Sequence, residues 1–253
     1  MQKTNPLSEA LHYARALRLP IVAEQAEDLA DKGRAEDWSY EEYLSALLGH
    51  QASVREAKSN TIRIRRAGFP KTATLEDFNW AYQPSAPRQI IEHLATSTFI
   101  GKAENVVFLG PPGVGKTHLA IAIGRTACLR NYSVLFKTAI DWVAELSEAH
   151  ATGMLPAKLQ ELNKYQLIII DELGYLPLDA DAANLMFQLV SHRYETGSII
   201  VTSNLEFGRW GEPLADPTVA AAMIDRLVHH CEIIPLKGDS YRLKNRMKQN
   251  LTK

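Results

Sequence analysis

The sequence is poor in cysteine, has no apolar run of membrane-spanning length and carries almost no net charge, and each shortage removes a class of function. Cys128 and Cys231 are the only cysteines in 253 residues, too few to build a zinc site without help, and their places in a predicted helix and at a predicted strand edge suit plain packing. No stretch approaches the ~20 apolar residues of a bilayer helix, and Met1-Gln2-Lys3-Thr4-Asn5-Pro6 lacks the hydrophobic core of a signal peptide. The expectation is a cytoplasmic protein with no membrane partner. There is no internal repeat and no low-complexity tract. The 46% hydrophobic and 23% charged fractions are those of a globular chain, long enough for one substantial domain and a small one.

A formal net charge of -1 counts against nucleic acid as a partner, but the distribution reverses that reading. Residues 24–42 place eight acids against Lys32 and Arg34, a local balance of -6, whereas residues 55–71 set Arg55, Lys58, Arg63, Arg65, Arg66 and Lys71 against Glu56, a balance of +5. Residues 237–253 are again +5. Two basic stripes therefore lie inside a neutral total. Lys58, Arg63, Arg65 and Arg66 are candidates for reading a DNA backbone, and a solvated helix face is the competing reading.

The first 66 residues read as helices. Asn5-Pro6 is a cap followed by a proline at the first helical position, Pro20 restarts a second helix predicted to stop near Gly33, and Ser39-Tyr40-Glu41-Glu42 fits a capping box whose helix continues past Gly49 to Arg66. Ala67-Gly68-Phe69-Pro70 breaks the pattern, and residues 67–105 read as a linker and the entry to the next domain, the dozen or so after the break, through Phe78, Trp80 and Pro84, being ordered because they carry large aromatics. From residue 106 to 253 strands and helices alternate, with strands predicted at 106–109, 134–138, 167–171, 198–203 and 232–236 and helices near 116–130, 139–150, 180–195 and 219–229. Alternation predicts a parallel sheet covered on both faces, with its ligand at the carboxyl ends of the strands.

The richest stretch is Gly110-Pro111-Pro112-Gly113-Val114-Gly115-Lys116-Thr117, between the apolar run Val106–Leu109 and a helix that opens with Thr117, His118 and Leu119. Glycines there let successive amides turn inward toward phosphate oxygens, and the helix N-terminus adds partial positive charge. Lys116 is placed to reach the β and γ phosphates of a nucleoside triphosphate, and the Thr117 hydroxyl to ligate Mg2+. A second motif agrees: Leu167-Ile168-Ile169-Ile170-Asp171-Glu172, an apolar strand ending in two acids, with Asp171 55 residues beyond Lys116. Asp171 would hold the magnesium and Glu172 would activate the attacking water. Asn204, at the end of the 198–203 strand, either orients that water or closes the strand as a turn asparagine.

Taken together, Gly110–Thr117, Leu167–Glu172 and Asn204 resemble a P-loop ATPase of the AAA+ class. More closely, Asp171-Glu172-Leu173-Gly174-Tyr175, Thr202-Ser203-Asn204, Ala222–Leu227 and Lys237–Arg242 resemble the IstB-like helper ATPases of insertion-sequence transposition, relatives of the DnaC-type helicase loaders. The resemblance extends to Ile64–Pro70 and Leu75–Phe78 between the domains. It implies an ATP- and Mg2+-dependent ATPase that assembles on double-stranded DNA as a homo-oligomer, prepares the target site and recruits a transposase. It implies an arginine finger at Arg226, presented to a neighbouring subunit, and a second-sensor arginine at Arg242. The implied fold is an α/β AAA+ three-layer core with a five-stranded parallel sheet, preceded by a small all-helical domain, with the C-terminal lid absent or vestigial. A replicative helicase loader that uses ATP as a switch, and a small-molecule kinase, are the alternatives.

Overall fold

The computed structural model describes residues 5–241, and the chain divides into two compact units between Ile62 and Arg63. The first is helical: α1 (Pro6–Ala16), α2 (Pro20–Ala35) and α3 (Tyr40–Arg66), the last of which runs on into the second unit. The caps that the sequence promises are present. Asn5 Oδ1 accepts from Leu7 N–H at 3.0 Å, and Ser39 and Glu42 exchange side-chain-to-backbone bonds at 2.7 and 3.2 Å. Ala14, Val22, Ala26 and Leu47 form its core, flanked by Leu11, Leu29 and Tyr43.

In the second unit, α4 (Arg88–Leu94) and α5 (Thr98–Gly101) precede the sheet. Then follow β1 (Asn105–Leu109), α6 (Lys116–Leu129), β2 (Val134–Thr138), α7 (Ala139–Ala151), α8 (Leu155–Leu162), β3 (Leu167–Leu173), α9 (Ala180–Arg193), β4 (Ser198–Ser203), α10 (Pro217–Val228) and β5 (Cys231–Pro235). The five strands are parallel in the order β2-β3-β4-β1-β5. Strand side chains alternate between two cores, as the pleat demands. Val106, Phe108, Ile169 and Ile200 pack with α6 and the segment before the sheet, whereas Val107, Leu109, Ile168, Ile170 and Val201 pack with α7, α9 and α10. All five predicted strands and four long helices are found within a few residues of their expected bounds. The short helices α4, α5 and α8 were not predicted. The eight-residue α8 buries Leu155, Leu159 and Leu162 against the sheet layer, and that packing holds a segment too short to announce itself by periodicity.

Both cysteines are free thiols. Burial pushes Cys128 up to about 11, and burial together with Glu232 pushes Cys231 up to about 12, so both remain protonated packing groups at neutral pH. Among the described residues no helix is long and apolar enough to cross a membrane.

One buried cation joins three elements on the side of the sheet where the strands begin. Arg193, 2% exposed, donates to the carbonyls of Leu162, Gln166 and Ser198 at 3.2–3.3 Å. Burial lowers its pKa to about 10, still charged at neutral pH. Gly197 makes room for it, since a Cβ there would lie 2.1 Å from Nη2. Gly197→Ala is expected to lower unfolding stability by about 1–3 kcal/mol in urea melts. In the same assay Gly49→Ala, inside α3 and facing open space, is expected to be neutral or stabilising by about 0.5–1 kcal/mol. Equal effects of the two would show that Arg193 has no fixed seat.

Candidate functional site

The strand order places β1 beside β4, and the chain leaves their carboxyl ends in opposite directions, α6 toward β2 on one face and α10 toward β5 on the other. That divergence opens a crevice at the strand ends. The turn from Leu109 to Lys116 occupies it. Gly110, Gly113 and Gly115 have φ of +148°, +84° and +105°, values that side chains disfavour. Space forbids side chains as well: added Cβ atoms would lie 2.1 Å from Leu236 O, 2.2 Å from Ser240 Oγ and 2.6 Å from the Phe78 ring. The loop is thus pressed between residues 236–240 on one side and the segment before the sheet on the other. Gln83, buried, donates from Nε2 to Val114 O at 3.1 Å and ties that segment to the loop.

Polar groups converge on the same cleft. Lys116 is 8% exposed, and its Nζ donates to the carbonyls of Gly110 and Pro111 at 2.5 and 2.9 Å. The α6 N-terminus has no side-chain cap, so its first amides are left to whatever anion the glycine loop receives. Thr117 Oγ1 donates to Asp171 Oδ1 at 2.9 Å, and Thr202 Oγ1 donates to the same oxygen at 2.6 Å. Asp171 is 3% exposed. Glu172 presents an exposed side chain to the cleft from a left-handed backbone, φ +63°, with its N–H donating to Thr202 Oγ1 at 3.0 Å. Asn204 also lines the cleft, and among the described residues its buried Oδ1 has no hydrogen-bond partner, which leaves it open to a donor from a ligand or water. A buried lysine, an uncapped helix N-terminus and a glycine cradle fit a polyphosphate. The Thr117 hydroxyl beside a carboxylate fits a hard, oxygen-seeking cation such as Mg2+.

The remaining residues divide between this cleft and other parts of the chain. His118 lines the cleft by its ring, with Nε2 bonded to Thr74 O at 2.7 Å and the ring edge-on to Phe78. Phe78 belongs to the core and to the cleft wall at once, whereas Trp80 packs on the core beneath Arg88. Arg226 is not among the residues lining this chain's cleft. It lies on α10, over the Phe187 ring at 4.7 Å, with Nη1 donating to Ala222 O at 3.2 Å. Arg242 lies outside the described residues. Lys58 is exposed in the first unit. In the second, Arg63 donates to Cys128 O at 2.9 Å and to Asn131 Oδ1 at 2.5 Å, while Arg65 and Arg66 are exposed. Sequence reasoning missed Asn79, Tyr82, Gln83 and Tyr241, which also line the cleft. No motif marks them, because only the folding of residues 67–87 and 236–241 over the loop brings them there.

This geometry defines a P-loop nucleotide-binding fold of the AAA+ class. Solved structures share it: AMPPCP-bound DnaA from Aquifex aeolicus matches with a TM-score of 0.56 at 21% identity over 72% of this chain and 56% of that one. The DnaC helicase loader matches with a TM-score of 0.53 at 20% identity over 69% of this chain and 99% of that one. Residues 12–249 match the family described as "IstB-like ATP binding protein", and the chain belongs to that family. Relatives named for ATP binding in insertion sequences include that of IS5376 from Geobacillus stearothermophilus, 43% identical over 96% of this chain and 97% of its own length. That of IS21 from Pseudomonas aeruginosa is 39% identical over 92% and 88%.

Proposed function

We propose that this chain is an ATP-hydrolysing helper protein of insertion-sequence transposition, assembling as a homo-oligomer on double-stranded DNA and recruiting a transposase. The observation that carries the reading is the convergence of Lys116, Thr117, Glu172 and Asn204 on one cleft, with Asp171 bonded beneath them. The relatives' association with insertion sequences supports the biological setting.

In this mechanism the glycine loop and the α6 N-terminus hold the phosphates of ATP, and Lys116 turns its ammonium from the loop carbonyls to the β and γ oxygens. Thr117 and Asp171 would hold Mg2+, which neutralises charge building on the phosphates. Asn204 accepts a hydrogen bond from the attacking water through Oδ1, and Glu172 takes the proton as the water oxygen bonds to the γ phosphorus and ADP departs. Arg226 completes the site of a neighbouring subunit, where its charge stabilises the transferring phosphoryl group only when the two are correctly joined. Lys58, Arg63, Arg65 and Arg66 supply backbone contacts to DNA, with Arg65 and Arg66 the more exposed of the terminal three.

Glu172→Gln is expected to bind ATP within about threefold of the parent while its turnover falls at least about 10²-fold; unchanged turnover removes the general base. Arg226→Ala is expected to be inactive alone and to regain activity when mixed with Lys116→Ala, because each variant spoils a different half of a shared site. Absence of rescue in the mixed assembly counts against a finger given in trans. For DNA, the slope of log affinity against log salt is expected to weaken by about two on duplex DNA in Arg65→Ala/Arg66→Ala. An unchanged slope, read by fluorescence anisotropy, would take these arginines off the phosphate backbone.

A further inference from the structure

The β3–β4 ladder is irregular where the two carboxylates stand. Ile170 pairs with Val201 and Leu173 with Ser203, so between these pairs β3 contributes two residues, Asp171 and Glu172, and β4 only one, Thr202. A two-against-one step is a bulge, which interrupts the ladder and re-aims side chains. Consecutive residues of a regular strand face opposite sides of the sheet. Here the extra residue and the left-handed Glu172 turn both carboxylates to one function: Asp171 meets Thr117, and Glu172 lines the cleft.

We infer that Thr202 is a positioning residue for hydrolysis, whose hydroxyl couples the carboxylate of the metal site to the backbone that aims Glu172. The inference rests on the reading of Glu172 as the water activator. The Thr202 hydroxyl is the single group opposite both residues, and it serves them in different senses, donating to Asp171 Oδ1 at 2.6 Å and accepting the Glu172 N–H at 3.0 Å. The second bond gives the Glu172 amide a partner where the ladder register is interrupted. A non-glycine residue at φ +63° persists only where its surroundings over-determine it, and Thr202, fully buried, is a fixed anchor. Thr117 donates to the same Asp171 oxygen, so a continuous chain of hydrogen bonds runs from the glycine-loop helix through Asp171 and Thr202 to the Glu172 amide. Position 202 requires a side chain that both donates and accepts at short reach, which serine satisfies and valine, of equal shape, does not.

The test uses the full chain with ATP turnover, a fluorescent ATP analogue for binding, and thermal melting. Thr202→Val is expected to lose at least about tenfold in kcat, with KM and analogue affinity within about threefold of the parent, and Thr202→Ser is expected to restore kcat to within about threefold. Added to Glu172→Gln, Thr202→Val is expected to cost nothing further, because it acts through that residue. Normal turnover in Thr202→Val, or a parallel fall of kcat, affinity and melting temperature that serine does not rescue, overturns the inference. Should Thr202→Val not fold, Thr202→Ala takes its place with the same expected kcat loss. If that also fails to fold, the hydroxyl is a structural bond only and the inference falls. Loss of turnover in Glu172→Gln with normal turnover in Thr202→Val defeats this inference alone, whereas normal turnover in Glu172→Gln defeats the general base and this inference with it.

Discussion

Close approach of backbone to backbone at Gly110 is the constraint on which the site depends. The Cα of that residue lies so near the Leu236 carbonyl that no side chain fits, and the Leu236 N–H in turn donates to Leu109 O at 2.7 Å. The loop after β1 is therefore clamped to the chain leaving β5. Ser240 beside Gly113 and Phe78 beside Gly115 extend the clamp along its length. A phosphate cradle must hold several amides in a fixed curve, and a loop free to sample glycine's whole range would lose that curve to entropy. Glycine gives the loop its shape, and the walls on either side hold it.

Sheet order supplies the second requirement. Because β1 lies between β4 and β5, with β3 beyond β4, the ends of β1, β3 and β4 open onto one crevice. Asp171 and Thr117, 54 residues apart, meet at 2.9 Å as a result. The polar groups there are nearly all satisfied by one another, at a depth where an unpaired group costs about 1–3 kcal/mol. Among the described residues that line the cleft, Asn204 Oδ1 is the buried side-chain atom left without a partner, and it is open to a donor from a ligand or water.

Charge is distributed with similar economy. The basic run at the end of α3 looked uniform in sequence, yet its members differ: Arg63 is tied to the last turn of α6 and Asn131, while Arg65 and Arg66 are open to solvent. Arg193, which no motif singled out, is the most deeply buried arginine among the described residues.

Local sequence determined the helical first unit, the five strands and the phosphate loop, because caps, two-residue and 3.6-residue periodicities and glycine conformations are properties of neighbouring residues. Lys116, Thr117, Asp171 and Glu172 were legible for the same reason, each standing at the end of a strand or the start of a helix. What only the tertiary structure decided is set by contacts between segments far apart in the chain. Among these are the clamp on Gly110, the wall formed by Tyr82, Gln83 and Tyr241, the packing that sustains α8, and the bulge that sets Thr202 against two carboxylates. Ladder register and backbone clearance depend on which strands become neighbours, and no local pattern carries that information.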